Sequence, residues 1–65
     1  MDIQKRIAQF INDNGVKQSF LSEKTGLSRN IISGIMTSQR KMSADEYFMI
    51  CQALNKEPNY FMLEE

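Results

Sequence analysis

Apolar residues recur along this chain with the period of a helix. Ile3, Ile7, Phe10 and Ile11 stand at i, i+4, i+7 and i+8, which predicts an amphipathic helix with one buried stripe. Asn12-Asp13-Asn14-Gly15 follows. The periodicity on both sides is helical, so this stretch reads as a helix end with Gly or Asn in the left-handed conformation, not as a hairpin turn. From Gln18 to Thr25, Leu21 and Thr25 sit one turn apart with Phe20 beside them, predicting a helix of about two turns that Gly26 stops. Leu27 comes next, then Ser28, whose side-chain oxygen suits the N-cap of a third helix at about residues 28–36. That helix gathers Ile31, Ile32, Ile35 and Met36 on one side and Arg29, Asn30, Ser33 and Gly34 on the other.

Residues 37–41, Thr-Ser-Gln-Arg-Lys, form a polar, basic connection. Ser43-Ala44-Asp45-Glu46 then matches the Ser-x-x-Glu capping box and starts a fourth helix, along which Tyr47, Ile50, Cys51 and Leu54 recur at helical spacing. Asn55 is its expected stop. Pro is favoured at the first position of a helix, so Pro58 with Tyr60, Phe61, Met62 and Leu63 predicts a short fifth helix or turn. The pattern shows no repeat, no low-complexity stretch and no linker. The expected fold is all-α, a compact bundle of four to five short helices making one domain over residues 1–65.

Composition narrows the function. At 65 residues, with 42% apolar and 25% charged, the chain is an ordinary small globular one, too short for most catalytic scaffolds. It has no His and a single Cys, so an internal disulfide is excluded and a zinc site of the usual type lacks ligands. The longest apolar run, Tyr47-Phe48-Met49-Ile50-Cys51, is far short of the roughly 18 residues that cross a bilayer, and the N-terminus has no signal-type stretch. A cytoplasmic, non-enzymatic protein without cofactor or metal is expected. The net charge of zero argues against a uniformly basic nucleic-acid binder. Residues 17–41 nevertheless carry a net +4 and residues 42–65 a net −4, so one face remains suited to phosphate.

Several residues have plain structural readings. Cys51 lies on the apolar stripe of the fourth helix and reads as a buried, inert small hydrophobe. Met36, Met42, Met49 and Met62 read as gap fillers in a small core. Asp45 and Glu46 are accounted for by helix capping and the helix dipole. Ser38-Gln39-Arg40-Lys41 fits a Ser-x-x-Lys pattern of penicillin-recognising enzymes, but the partner motifs and the size of that scaffold are missing.

Residues 18–36 carry the strongest signal: a short helix, a glycine turn and a second helix, apolar only where the two must pack. Small Ser22 lets the second helix approach, Gly26 permits a positive φ in the tight turn, and Leu21, Leu27, Ile32 and Ile35 close the shared core. This resembles a helix-turn-helix. The N-terminal helix, the basic connection, the Ser-capped fourth helix and Pro58-x-x-Phe61 extend the likeness over nearly the whole chain, which resembles the Cro/repressor-type (XRE, lambda-repressor-like) helix-turn-helix DNA-binding family.

The resemblance implies a homodimeric transcriptional regulator, most simply a repressor, that docks its third helix in the major groove of double-stranded DNA. It implies that Gln18, opening the first motif helix, touches a phosphate. Arg29 and Asn30 fall on base-reading positions, suited to guanine and adenine respectively. Ser28 and Ser33 fall on positions of phosphate or weak base contact, and Thr37, Gln39, Arg40 and Lys41 complete the candidate interface. Gly34 stands at a further reading position and has no side chain to read with. Thr37-Ser38 replaces the Asn-Gly frequent in the family after the recognition helix. Without the motif, Arg29 and Asn30 read as a solvated polar face, Arg40 and Lys41 as a polar loop, and Ile31 as a core-edge residue or a thymine-methyl contact. A second functional reading is a protein-interaction module on the same scaffold, of antitoxin or anti-repressor type. Its partner would dock on the acidic C-terminal half, where Tyr60 and Leu63 equally suit a dimer contact.

Overall fold

The computed structural model describes residues 2–62. In order, these form α1 (Ile3–Asp13), α2 (Gln18–Thr25), α3 (Arg29–Met36), α4 (Ala44–Ala53) and a 3-10 turn (Pro58–Tyr60), with no strand among the described residues. The boundaries follow local chemistry. The Asp2 carboxylate caps α1 by accepting from the Lys5 N–H at 3.1 Å, and Ser28 Oγ caps α3 by accepting from the Ile31 N–H at 3.2 Å. At α4 both halves of the capping box are made: Ser43 Oγ accepts from the Glu46 N–H at 3.1 Å, and Glu46 Oε1 accepts from the Ser43 N–H at 2.9 Å.

The turn between α2 and α3 is held by short polar bonds. Gly26 adopts φ +78° and its N–H donates to the Ser22 carbonyl at 2.9 Å, the left-handed C-terminal stop that a β-carbon would strain. The Ser22 hydroxyl donates to the Leu27 carbonyl at 2.6 Å. Thr25 donates to the Leu21 carbonyl at 2.6 Å and accepts from the Leu27 N–H at 3.1 Å. Two polar side chains of α2 and the left-handed Gly26 that stops it therefore set the angle at which α3 leaves.

The core collects Ile7 and Ile11 from α1, Leu21 from α2, Ile32 and Ile35 from α3, Tyr47, Ile50 and Cys51 from α4, and Phe61 beyond the 3-10 turn. α2 packs on both α3 and α4, α1 packs on α3, and α4 on the 3-10 turn. The Tyr47 hydroxyl donates to the Pro58 carbonyl, and burial pushes its pKa up to about 12. Burial likewise pushes the Cys51 thiol up, which makes it the inert hydrophobe the sequence indicates. Phe10 meets Phe61 edge-on at 5.4 Å between ring centroids, closing the C-terminal segment over α1.

One expectation needs correction. Met36 and Met42 pack against the core, but Met62 is half exposed and fills no gap, because Phe61 is the residue of that segment that turns inward. The fifth element, expected as a short helix or turn, is a single 3-10 turn with Pro58 at its start. Leu63, taken with Tyr60 as a dimer contact, lies outside the described residues.

Beyond α3 the chain takes an unusual turn. Ser38 has φ +62°, while Asn55, the other such non-glycine among the described residues, belongs to a type that tolerates this region. Left-handed backbone disfavours an L residue by about 1–2 kcal/mol, partly offset on glycine substitution by the greater freedom of the unfolded chain. Ser38→Gly is expected to stabilise the protein by about 0.5–1 kcal/mol, read as a rise of a few degrees in Tm in thermal denaturation.

Candidate nucleic-acid interface

α3 divides cleanly. Ile32 and Ile35 are buried, Ile31 and Met36 partly so, and Arg29 and Asn30 are exposed on the first turn. Among the described residues, none forms an ion pair with Arg29 or a hydrogen bond with the Asn30 side chain. A fork-shaped cation and an amide with both donor and acceptor thus stand together, unengaged, on a helix held rigid by its apolar side. That is the donor and acceptor inventory that base edges present and accept. Ser28 is exposed and uses its oxygen as acceptor for the cap, leaving its O–H free to donate; Ser33, in the second turn of α3, is half-buried.

α2 contributes a different feature. Its N-cap is Lys17, which makes no side-chain cap bond, whereas α1, α3 and α4 are each capped by a side chain. The first amide donors of α2 therefore lack a side-chain cap, at an end flanked in sequence by exposed Lys17 and half-buried Gln18. Uncapped helix amides with a neighbouring cation suit a phosphate oxygen. Lys17 was not singled out from the sequence, where it reads only as one charge of the basic segment.

The connection after α3 carries the remaining candidates. The Thr37 hydroxyl donates back to the Ser33 carbonyl at 2.9 Å, so it serves the helix end. The Gln39 and Arg40 N–H groups both donate to the Gly34 carbonyl, at 2.9 and 3.2 Å, wrapping the loop around the end of α3. Gln39 and Lys41 are exposed. Arg40 is different: its Nη2 lies 2.6 Å from Glu46 Oε2, and its aliphatic stem occupies the space a side chain at Gly34 would need, 3.1 Å from that site. A β-carbon at residue 34 would press on that stem. Of the loop candidates Gln39, Arg40 and Lys41, Arg40 is the one bound to a carboxylate.

Glu46 was read from sequence as a capping residue and is also the anchor of Arg40. Its carboxyl is held below the 4.5 of a free glutamate, chiefly by the Ser43 N–H and then by the Arg40 guanidinium, against the opposing effect of burial. The unfolded chain therefore takes up this proton at higher pH than the folded one. The contribution is complete above 4.5 and is lost as pH falls through the lower folded value. Glu46→Gln should therefore lower Tm near neutral pH and narrow its gap from the wild type on acidification, as thermal melts across pH will show. A gap independent of pH would count against the charged role.

No helix among the described residues is long and apolar enough to cross a membrane. A family model described as the Cro/C1-type HTH DNA-binding domain matches residues 6–59, spanning α1 from its second turn through the 3-10 turn. No curated protein and no solved structure matches the chain.

Proposed function

The chain belongs to the Cro/C1-type helix-turn-helix DNA-binding domain family, and from that premise we propose that it is a sequence-specific transcriptional regulator, a repressor, whose homodimer lays α3 in the major groove. The observation that carries this reading is the exposed, unengaged Arg29–Asn30 pair on the first turn of the Ser28-capped helix. Arg29 pairs with guanine O6 and N7, Asn30 with adenine N6 and N7, and Ser28 and Ser33 make supporting contacts. Gln18 with the uncapped start of α2, and Gln39 and Lys41 in the loop, meet phosphate. Arg40 reaches phosphate only with the N–H groups that Glu46 leaves free.

Zero net charge is compatible with this role because the basic residues are concentrated in the segment that forms α2, α3 and the loop. The half-exposed Phe48, Tyr60 and Met62 support a homodimer, since they lie on α4 and the C-terminal turn, which do not pack on α3. Two recognition helices would then sit about 34 Å apart on successive groove faces.

Selection from random duplex DNA at two salt concentrations tests the reading, because specific contacts enrich a motif and phosphate contacts set the salt slope. An enriched palindrome is expected, with half-sites about one helical turn apart. No enrichment at low salt would overturn it in favour of the protein-interaction reading.

A further inference from the structure

We propose that Gln4 is a positioning residue for phosphate contact, fixing from α1 the loop that presents Gln39 and Lys41; this rests on the DNA-docking reading above. Gln4 sits in the first turn of α1, half-buried, on the same helical face as Ile7 and Ile11, which are fully in the core. Its Nε2 donates to the Ile35 carbonyl at 2.9 Å and to the Arg40 carbonyl at 2.8 Å, and its Oε1 accepts from the Met42 N–H at 3.1 Å. Both amide hydrogens and the carbonyl are used. Two partners are carbonyl oxygens and one is an N–H, so the orientation of the amide is dictated by what it faces.

These partners are spaced with a purpose in the chain. Ile35 lies in the last turn of α3, Arg40 in the middle of the connection, and Met42 at its far end, so one side chain holds the end of the recognition helix and both later points of the loop. Residues 38–41 are all exposed and place no side chain in the core. Ser38 is in the disfavoured left-handed region, so the loop's path is not one its own residues prefer. What keeps it in place is a set of tethers: the Gly34 carbonyl near α3, Arg40 on Glu46, and Gln4. A loop already ordered does not have to be ordered by DNA on binding, which is how a residue that never touches DNA raises affinity for it.

Gln4→Met keeps the length and removes all three bonds. Affinity is expected to fall about tenfold on every duplex, with the base preference unchanged and the salt slope smaller by about one, since phosphate contacts are what the loop supplies. In a Lys41→Ala background the same substitution should have a much smaller effect and leave the salt slope unchanged, because the charged contact it positions is already gone and only that of Gln39 remains to be lost. Gln4→Glu retains the acceptor for Met42 and sets a carboxylate against two carbonyl oxygens, so it should lose at least as much. Amide exchange, read by NMR on the free protein well below Tm, should quicken at residues 39–42 in both variants while α2 keeps its protection.

Equal losses from Gln4→Met in the wild-type and Lys41→Ala backgrounds would overturn the proposal and leave Gln4 a stabilising residue alone. So would binding as tight as the wild type. A wild-type protein that binds no duplex would instead overturn the DNA-docking reading itself, an outcome distinct from either.

Discussion

Leu21→Ala is expected to remove about 2–5 kcal/mol and to leave much of the protein unfolded at physiological temperature. Leu21 is 0% exposed and is the single buried residue of α2, the helix that packs on both α3 and α4. Truncation removes its transfer free energy and opens a cavity between three helices that short segments cannot close by shifting. A 65-residue domain has roughly 3–10 kcal/mol of total stability to lose from. Each kcal/mol corresponds to about 4–8 °C in a domain this small, so Tm should fall by well over 10 °C in calorimetry. Leu21→Met, which conserves volume, should cost less than about 1.5 kcal/mol. If the two variants melted alike, the packing at Leu21 would not be what fastens the helix-turn-helix to the body.

The features legible in the sequence are those whose cause lies within four residues. Ser28 and Ser43 cap helices because the acceptor and the donor it satisfies are three residues apart, and Gly26 and Asn55 end helices because one residue must turn left-handed. Periodicity placed Ile7, Ile11, Ile32, Ile35 and Ile50 in the core for the same reason. The features missed depend on the path of the chain between elements. Gln4 stood on the apolar face of α1, a polar residue on the stripe that buries Ile7 and Ile11, and that was the available signal; its partners lie 31 to 38 residues away. Arg40 reaches Glu46 across a loop that passes through the left-handed Ser38, where the sequence offers neither glycine nor asparagine. Glu46 illustrates both cases: Oε1 serves the local cap that the Ser-x-x-Glu pattern announces, and Oε2 holds a cation the pattern does not mention.

Arg29→Ala is expected to weaken binding to the selected site by about 1–3 kcal/mol, a factor of roughly 5 to 150, while binding to unrelated duplex falls much less. The difference follows from what the side chain offers. As a fork it satisfies guanine O6 and N7 together; as a charge it contributes one counterion-releasing contact to any sequence. Arg29→Lys separates the two, since it keeps the charge and loses the fork. Its salt slope should match the wild type, with the preference at one base pair of each half-site relaxed almost as far as in Arg29→Ala. Lys41→Ala should do the reverse, lowering affinity for all duplexes alike, reducing the salt slope by about one and leaving the selected motif intact. Neither substitution should move Tm by more than about 0.5 kcal/mol allows, because both side chains are exposed and no described residue is paired with either. Fluorescence anisotropy on specific and scrambled duplexes across a salt series reads all three quantities. If Arg29→Lys kept full preference, the base contact would belong to Asn30 alone, or to the Ser33 side of α3 with the register of the helix in the groove shifted by about a turn toward its C-terminus.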